Sequence, residues 1–319
     1  MNSANQKPLA QKFNELAAAA HKAFPEKLKN LVVFLLPSSE IPVYVAPEIA
    51  DHLAKNIAAV KKDVEEAANH LRTHRAEGTT VACPLAEAVV TLIALNENPQ
   101  DSFSCRYTKE MGVTANFDHE IGHRVVENGF PSGTVSEHLA ECAATAYAAL
   151  RHIQQFGRKT DFLEYYNFSH TVVLGLSPKH YTDDVVQRVK QLAEETDISG
   201  LSLRETAELA GKIALECRLD DKTLEKIRKA FLPAAEACKK AGGICAAVLQ
   251  KCIEVTREHT NDPDIYKAGE RFLNYPDNKK YLKNEAKTGP YWRNALDFIK
   301  NHQTKPFIKR SVPAFPALS

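Results

Sequence analysis

The chain has no surplus of charge of either sign: 41 Lys and Arg stand against 40 Asp and Glu, a formal net charge of +1 over 319 residues. A dedicated nucleic-acid binder carries a basic excess to neutralise phosphates, so the near-balance argues against that class. Long apolar runs are missing as well. The longest, Leu31 to Leu36, falls far short of the roughly 20 residues that span a bilayer, which predicts no membrane partner. The first residues, MNSANQKPLAQKF, hold no basic stretch followed by an apolar one. That predicts no cleaved secretory signal and a cytoplasmic location, with export by a system that reads uncleaved signals compatible with it. The seven cysteines, at 83, 105, 142, 217, 238, 245 and 252, are odd in number and scattered. They fit reduced thiols and not a disulfide framework. No phosphate-binding GxxxxGK[ST], dinucleotide GxGxxG or nucleophile-elbow GxSxG occurs.

What is present suffices for a core. Apolar residues make up 44% and charged residues 25% of the sequence, the balance of one large or two ordinary folded domains. The patterning predicts an α+β, predominantly α-helical fold. Residues 9–24 repeat apolar positions at helical spacing and stop before Pro25. LVVFLL at 31–36 is short, partly β-branched and closed by Pro37, which suits a buried strand. VYVA at 43–46 supplies a second strand at an edge. Pro47 stands where a first-turn proline opens a helix, and the charge pattern extends that helix to about Arg75. PLAEAVVTLIAL at 84–95 is expected as a buried helix, and SFSCRYT at 102–108 as a third strand.

Further helices are expected over about 114–128, ended by Gly129 and Pro131, and over about 134–156, ended by Gly157. Thr134 and Glu137 have capping-box spacing at the start of the second. Two more, at 160–175 and 182–196, flank the kink LSPKHYT. Beyond about 200 strand signals vanish, and charged helices follow one another with breaks at ISGLS, AGG and NDPD. A boundary near Thr196–Ser202 then gives a domain over 1–198, a helical accessory domain over 199–303 and an extended tail over 304–319.

One stretch carries chemistry. His119-Glu120-Ile121-Gly122-His123 is an HExxH sequence on an expected helix. Positions i and i+4 differ by about 40° around a helix axis and about 6 Å along it. Both imidazoles can therefore reach one metal ion from one face, with Glu120 beside them as a general base. Gly122 costs a helix about 1 kcal/mol against alanine. Its missing side chain predicts that another backbone, or the next helix, packs close to this site.

This segment resembles the zincin metallopeptidases, and the helix after it, SEHLAECAATAYAALRHI at 136–153, is similar to that of the gluzincin branch. The resemblance covers roughly residues 100–155. It implies a zincin-like domain with a small sheet and an active-site helix, Zn2+ as cofactor, and a zinc-activated water with Glu120 as general base. It also implies a third ligand from the downstream helix. Glu141, eighteen positions after His123 and opening a Glu-x-x-Ala pattern, is the preferred one, with Glu137 and His138 as alternatives. The aspartate that gluzincins often carry four residues after that ligand is Thr145 here, so support for the ligands must come from elsewhere.

A peptidase also needs a donor for the developing oxyanion. His180 and Tyr181, in the kink, are favoured over His170; Tyr147 and Tyr165 read as core. Cys142 neighbours Glu141 but points about 100° away around the helix and is not assigned as a ligand. Cys245 and Cys252, seven apart, read as packing. The function expected is a zinc-dependent endopeptidase acting on a protein or peptide substrate. The alternative is a regulatory or binding protein on a zincin scaffold, with structural zinc closed by Glu137 or His138. A metal-dependent hydrolase of a non-peptide amide or ester is a third reading. Oligomeric state is not legible.

Overall fold

The computed structural model describes residues 9–36, 42–56, 60–66, 69, 78–85, 88–96, 108–126, 130, 136–158, 162–166, 178–287 and 289–301. They form a predominantly helical α+β fold with one small sheet. No helix among the described residues is long and apolar enough to cross a membrane. The chain forms two compact units that are not consecutive stretches: 1–135, 143–160 and 193–212 make the first, and 136–142, 161–192 and 213–319 the second. The boundary expected near 196–202 falls within the 193–212 stretch of the first unit. Residues 161–192 pack with the C-terminal helices, while 193–212 return to the first unit. Gln154 holds that return: its Nε2 lies 3.1 Å from Ile198 O, 3.2 Å from Leu201 O and 3.0 Å from Thr206 Oγ1.

In the first unit, α1 (Leu9–Ala23) and the short α2 (Pro25–Leu28) lead into β1 (Leu31–Leu36), all six residues of which are buried. β2 (Tyr44–Val45) is the expected edge strand, antiparallel to β1. After Pro47 comes a 3-10 turn (Pro47–Ile49), then α3 (Ala50–Lys55) and α4 over 60–66. The long helix expected from Pro47 is thus interrupted at Asn56.

The expected buried helix over 84–95 is instead a hairpin of β3 (Gly78–Leu85) and β4 (Ala88–Asn96). Sheet order is β2-β1-β4-β3, with β1 and β4 parallel from Leu31 opposite Thr91 to Leu36 opposite Asn96. A central strand covered on both faces needs a nearly continuous apolar sequence. VVTLIAL meets that need, and apolar content alone does not separate a buried strand from a buried helix. The β-branched Val89, Val90, Thr91 and Ile93 tip the balance. The third strand expected at 102–108 lies outside the described residues apart from Thr108, which is a helix cap.

Helix α5 (Lys109–Val125) begins at Thr108, whose hydroxyl accepts from Met111 N at 3.3 Å. That is six residues before the cap expected at Thr114, which is buried within the helix. α5 packs on β3 and β4 and beside α1, where the Phe13 and Phe117 rings meet edge to face at 5.6 Å. α6 (Glu137–Phe156) starts with Ser136 Oγ accepting from Leu139 N at 3.2 Å; Thr134 of the expected capping box lies outside the described residues. It ends at Gly157, whose φ of 82° is the left-handed turn that glycine adopts without penalty.

The second unit contains the first turns of α6, then α7 (Phe162–Tyr165), a 3-10 turn (Pro178–His180) and α8 (Asp183–Glu195). The helix expected over 160–175 is described only as α7. α9 (Leu203–Cys217) spans the division at residue 212. There follow α10 (Asp221–Ala241), α11 (Ala246–Glu258), α12 (Pro263–Asn274), α13 (Pro276–Glu285) and α14 (Pro290–Asn301). Their stops match the expected breaks: Gly242 closes α10 in the left-handed conformation, and Asp262 caps α12 ahead of Pro263. The tail expected from 304 lies outside the described residues.

Candidate metal centre

The centre is built on α5 and α6. Within the first unit, Asp118 on α5 accepts from Gln155 Nε2 at 2.7 Å and lies 3.7 Å from Arg151 Nε on α6. Four residues further along α5, a Cβ on Gly122 would lie 2.8 Å from Ala144 Cα and 3.2 Å from Tyr147 Cβ. The α6 numbers fall as the α5 numbers rise, so the two helices run antiparallel. Glu141 lies three residues, about one turn, before Ala144 on α6. α6 is a single continuous helix through this point, so its packing on Gly122 also carries Glu141.

One ligand atom each from His119, His123 and Glu141 lies within 4.8 Å of the others, and all three residues are half-buried. The two imidazole rings meet edge to face, with centroids 4.8 Å apart. Two imidazoles and a carboxylate are the donor set of catalytic zinc sites, where ligands at 2.0–2.2 Å in a tetrahedron stand roughly 3.3 Å apart. The residues present fit such an ion. Among the described residues no fourth His, Cys, Asp or Glu joins this group.

The other candidate ligands are engaged elsewhere. Glu137 is 81% exposed and lies 3.4 Å from Lys179 Nζ. His138 is buried; its Nδ1 donates to Lys179 O at 2.8 Å, and its Nε2 lies 3.5 Å from Cys142 Sγ. Burial holds the Cys142 thiol well above its usual range, so it stays protonated and suits a donor to that ring nitrogen. Cys142 thus points away from Glu141's metal-facing side, as its helical position requires.

Glu120 follows His119 and is half-buried. On an ideal helix it stands about 100° around from His119, while Gly122, the face toward α6, stands about 60° to the other side. The histidines are therefore flanked by Glu141 on one side and Glu120 on the other. Asp118 belongs to the α6 side and serves the helix pair. Burial pushes its carboxyl up to about 6, against the pull of Arg151 and Gln155.

Of the two residues expected to stabilise an oxyanion, His180 is at the site's edge: its Nδ1 lies 3.1 Å from Glu141 Oε2. Tyr181 is elsewhere. It is buried beside Arg271, which donates to its hydroxyl, and burial raises it well above the ordinary phenol range. His170 lies outside the described residues, as does the side chain of Tyr165; Tyr147 is fully buried core. Sequence reasoning missed Arg151 and Gln155 as partners of Asp118. Their i, i+4 spacing marks one face of α6 but names no partner 37 residues away. Comparisons with protein-family models, curated proteins and solved structures found no match to this chain.

Proposed function

We propose that the chain is a zinc-dependent metallopeptidase that cleaves a protein or peptide substrate, with His119, His123 and Glu141 as ligands and Glu120 as general base. The observation that carries this reading is the convergence of those three ligand atoms within 4.8 Å, two from the HExxH helix and one from the helix packed on it. When bound, zinc supplies Lewis acidity and brings the acidity of a water to about pH 7. Glu120, on the flank away from α6, takes a proton from the attacking water and delivers it to the leaving amine. Its half-exposed position admits water and substrate to the carboxylate. The commitments of Glu137 and His138 to the 178–180 turn favour an open catalytic site over a closed structural one.

The test is metal content by mass spectrometry, alongside turnover of a mixed peptide library, for wild type, Glu141→Ala and Glu120→Gln. About one zinc per chain is expected in wild type and in Glu120→Gln, and little in Glu141→Ala. Turnover should fall by about 10²–10⁴-fold in Glu120→Gln. Retained turnover removes Glu120 from its role. Failure of the wild type to take up zinc overturns the reading.

A further inference from the structure

The turn that carries His180 is fastened to α6 at three successive points. Lys179 Nζ lies 3.4 Å from Glu137 Oε2, Lys179 O accepts from His138 Nδ1 at 2.8 Å, and His180 Nδ1 lies 3.1 Å from Glu141 Oε2. Residues 137, 138 and 141 form a single stripe on a helix. The 178–180 turn lies along that stripe, and its last contact is on the carboxylate assigned as third ligand.

Behind the turn lies a buried charge cluster that the proposed chemistry does not use. Asp183 and Asp184, the first residues of α8, are both buried. Lys267 Nζ lies 2.8 Å from Asp184 Oδ1, Arg271 pairs with the same carboxylate, and the Tyr275 hydroxyl donates to Asp183 Oδ1 at 2.9 Å. Arg271 also donates to Tyr181, the residue after His180. Lys267, Arg271 and Tyr275 recur every four residues along α12 and its C-cap, one row of donors facing the start of α8. A carboxylate at a helix N-terminus is ordinarily solvated; two buried ones, each with its own partner from one helix, form a built joint. Its geometric effect is to fix the backbone at 181–184 and hence the position of His180.

We propose that His180 is a positioning residue that orients Glu141 for a metal, and that the α12 row anchors the turn from which it reaches. The inference rests on Glu141 being a ligand. A carboxylate has two oxygens: contact with His180 engages Oε2, which leaves Oε1 to face a cation and restricts rotation of the group. Ligand carboxylates need such a partner, and losing one typically costs 10–100-fold in metal affinity. His180 takes the place left open by Thr145. The oxyanion role expected for it then falls to another group.

The experiment is zinc affinity by chelator competition on the full chain, with thermal melting of the metal-free proteins as a check on folding. Wild type is compared with His180→Ala, His180→Gln and Tyr275→Phe, and cobalt-substituted samples are compared by visible absorption. Tyr275→Phe removes one hydroxyl and keeps the ring, so the fold survives it. His180→Ala should weaken zinc binding about 10–100-fold and alter the cobalt spectrum. His180→Gln, which keeps a donor, should recover part of the affinity. Tyr275→Phe should weaken it severalfold although it touches no ligand. Wild-type affinity and spectrum in both His180→Ala and Tyr275→Phe overturn the inference alone. A wild type that binds no metal overturns the proposed function and the inference together.

Discussion

Gly122→Ala separates two effects that act in opposite directions. A Cβ at this position would lie 2.8 Å from Ala144 Cα, 3.2 Å from Ala144 O and 3.2 Å from Tyr147 Cβ. The nearest of these is main chain and cannot swing aside, so α5 and α6 must separate. Reaching ordinary carbon–carbon contact near 3.5 Å requires a shift of about 0.7 Å or more. Overpacking of this kind costs about 1–3 kcal/mol, while alanine regains about 1 kcal/mol of helix propensity over glycine. Net stability should therefore fall by at most about 2 kcal/mol, a loss that leaves the protein folded.

Metal binding has no such compensation. His123 is one residue from the wedge and Glu141 is on the helix pushed away, so the ligands separate by the full displacement. Site geometry tolerates about 0.5 Å, and zinc affinity should drop by at least about tenfold. The assay pairs chemical denaturation of the metal-free protein with zinc affinity by chelator competition. A Gly122→Ala protein that gains stability and keeps wild-type affinity would refute the reasoning, because it would mean that the helix spacing at Gly122 does not set the ligand geometry.

Two further predictions concern the same helix pair. His152, buried on α6 against Phe156 with ring centroids 5.0 Å apart, is pushed by burial down to about 4. Its neutral form is favoured by the fold, so its contribution is full above pH ~6.5 and is lost as pH falls toward ~4, on the order of 3 kcal/mol. His152→Gln should flatten the acid arm of the stability curve in that window, measured as the difference from wild type at each pH; equal slopes would count against it. Asp118, raised to about 6, contributes with the opposite sign, and that difference cancels it. Gln154→Ala strips the partner from Ile198 O, Leu201 O and Thr206 Oγ1. It should cost about 1–3 kcal/mol and speed proteolytic cutting within 196–202, with an unchanged digestion pattern as the contrary result.

The candidate site was legible to the extent that it is local. The spacing of His119 and His123 on one helix is a property of five consecutive residues. Glu141 was reached through the resemblance to gluzincins, which implies a glutamate ligand on the helix that follows, eighteen positions after His123. Gly122 told of a close approach before the partner backbone was known. The stretch 84–95 was misjudged as a helix because it is apolar except at Glu87 and Thr91, and periodicity distinguishes helix from strand only when one face is polar. Its true character lies in its pairing with β1 more than fifty residues earlier.

What could not be read is the set of contacts around the candidate ligands. Asp183 and Asp184 open a helix, where acidic residues are common and usually solvated, and nothing in that pattern tells a solvated carboxylate from a buried one. The difference is made by Lys267, Arg271 and Tyr275, more than eighty residues away on α12 and its C-cap. Their own spacing fits a charged outer face as well as it fits a row of buried donors. The grouping of the two units is hidden from composition in the same way. A boundary drawn where composition changes assumes that neighbours in sequence pack together, whereas the segment 161–192, with His180 in it, packs with α10 to α14. The turn at 178–180 in that segment also reaches Glu141. On this argument a chain ended after α9 would keep His119, Glu120 and His123 on their helix. It would lose the α12 row that pairs with Asp183 and Asp184 beside the turn carrying His180.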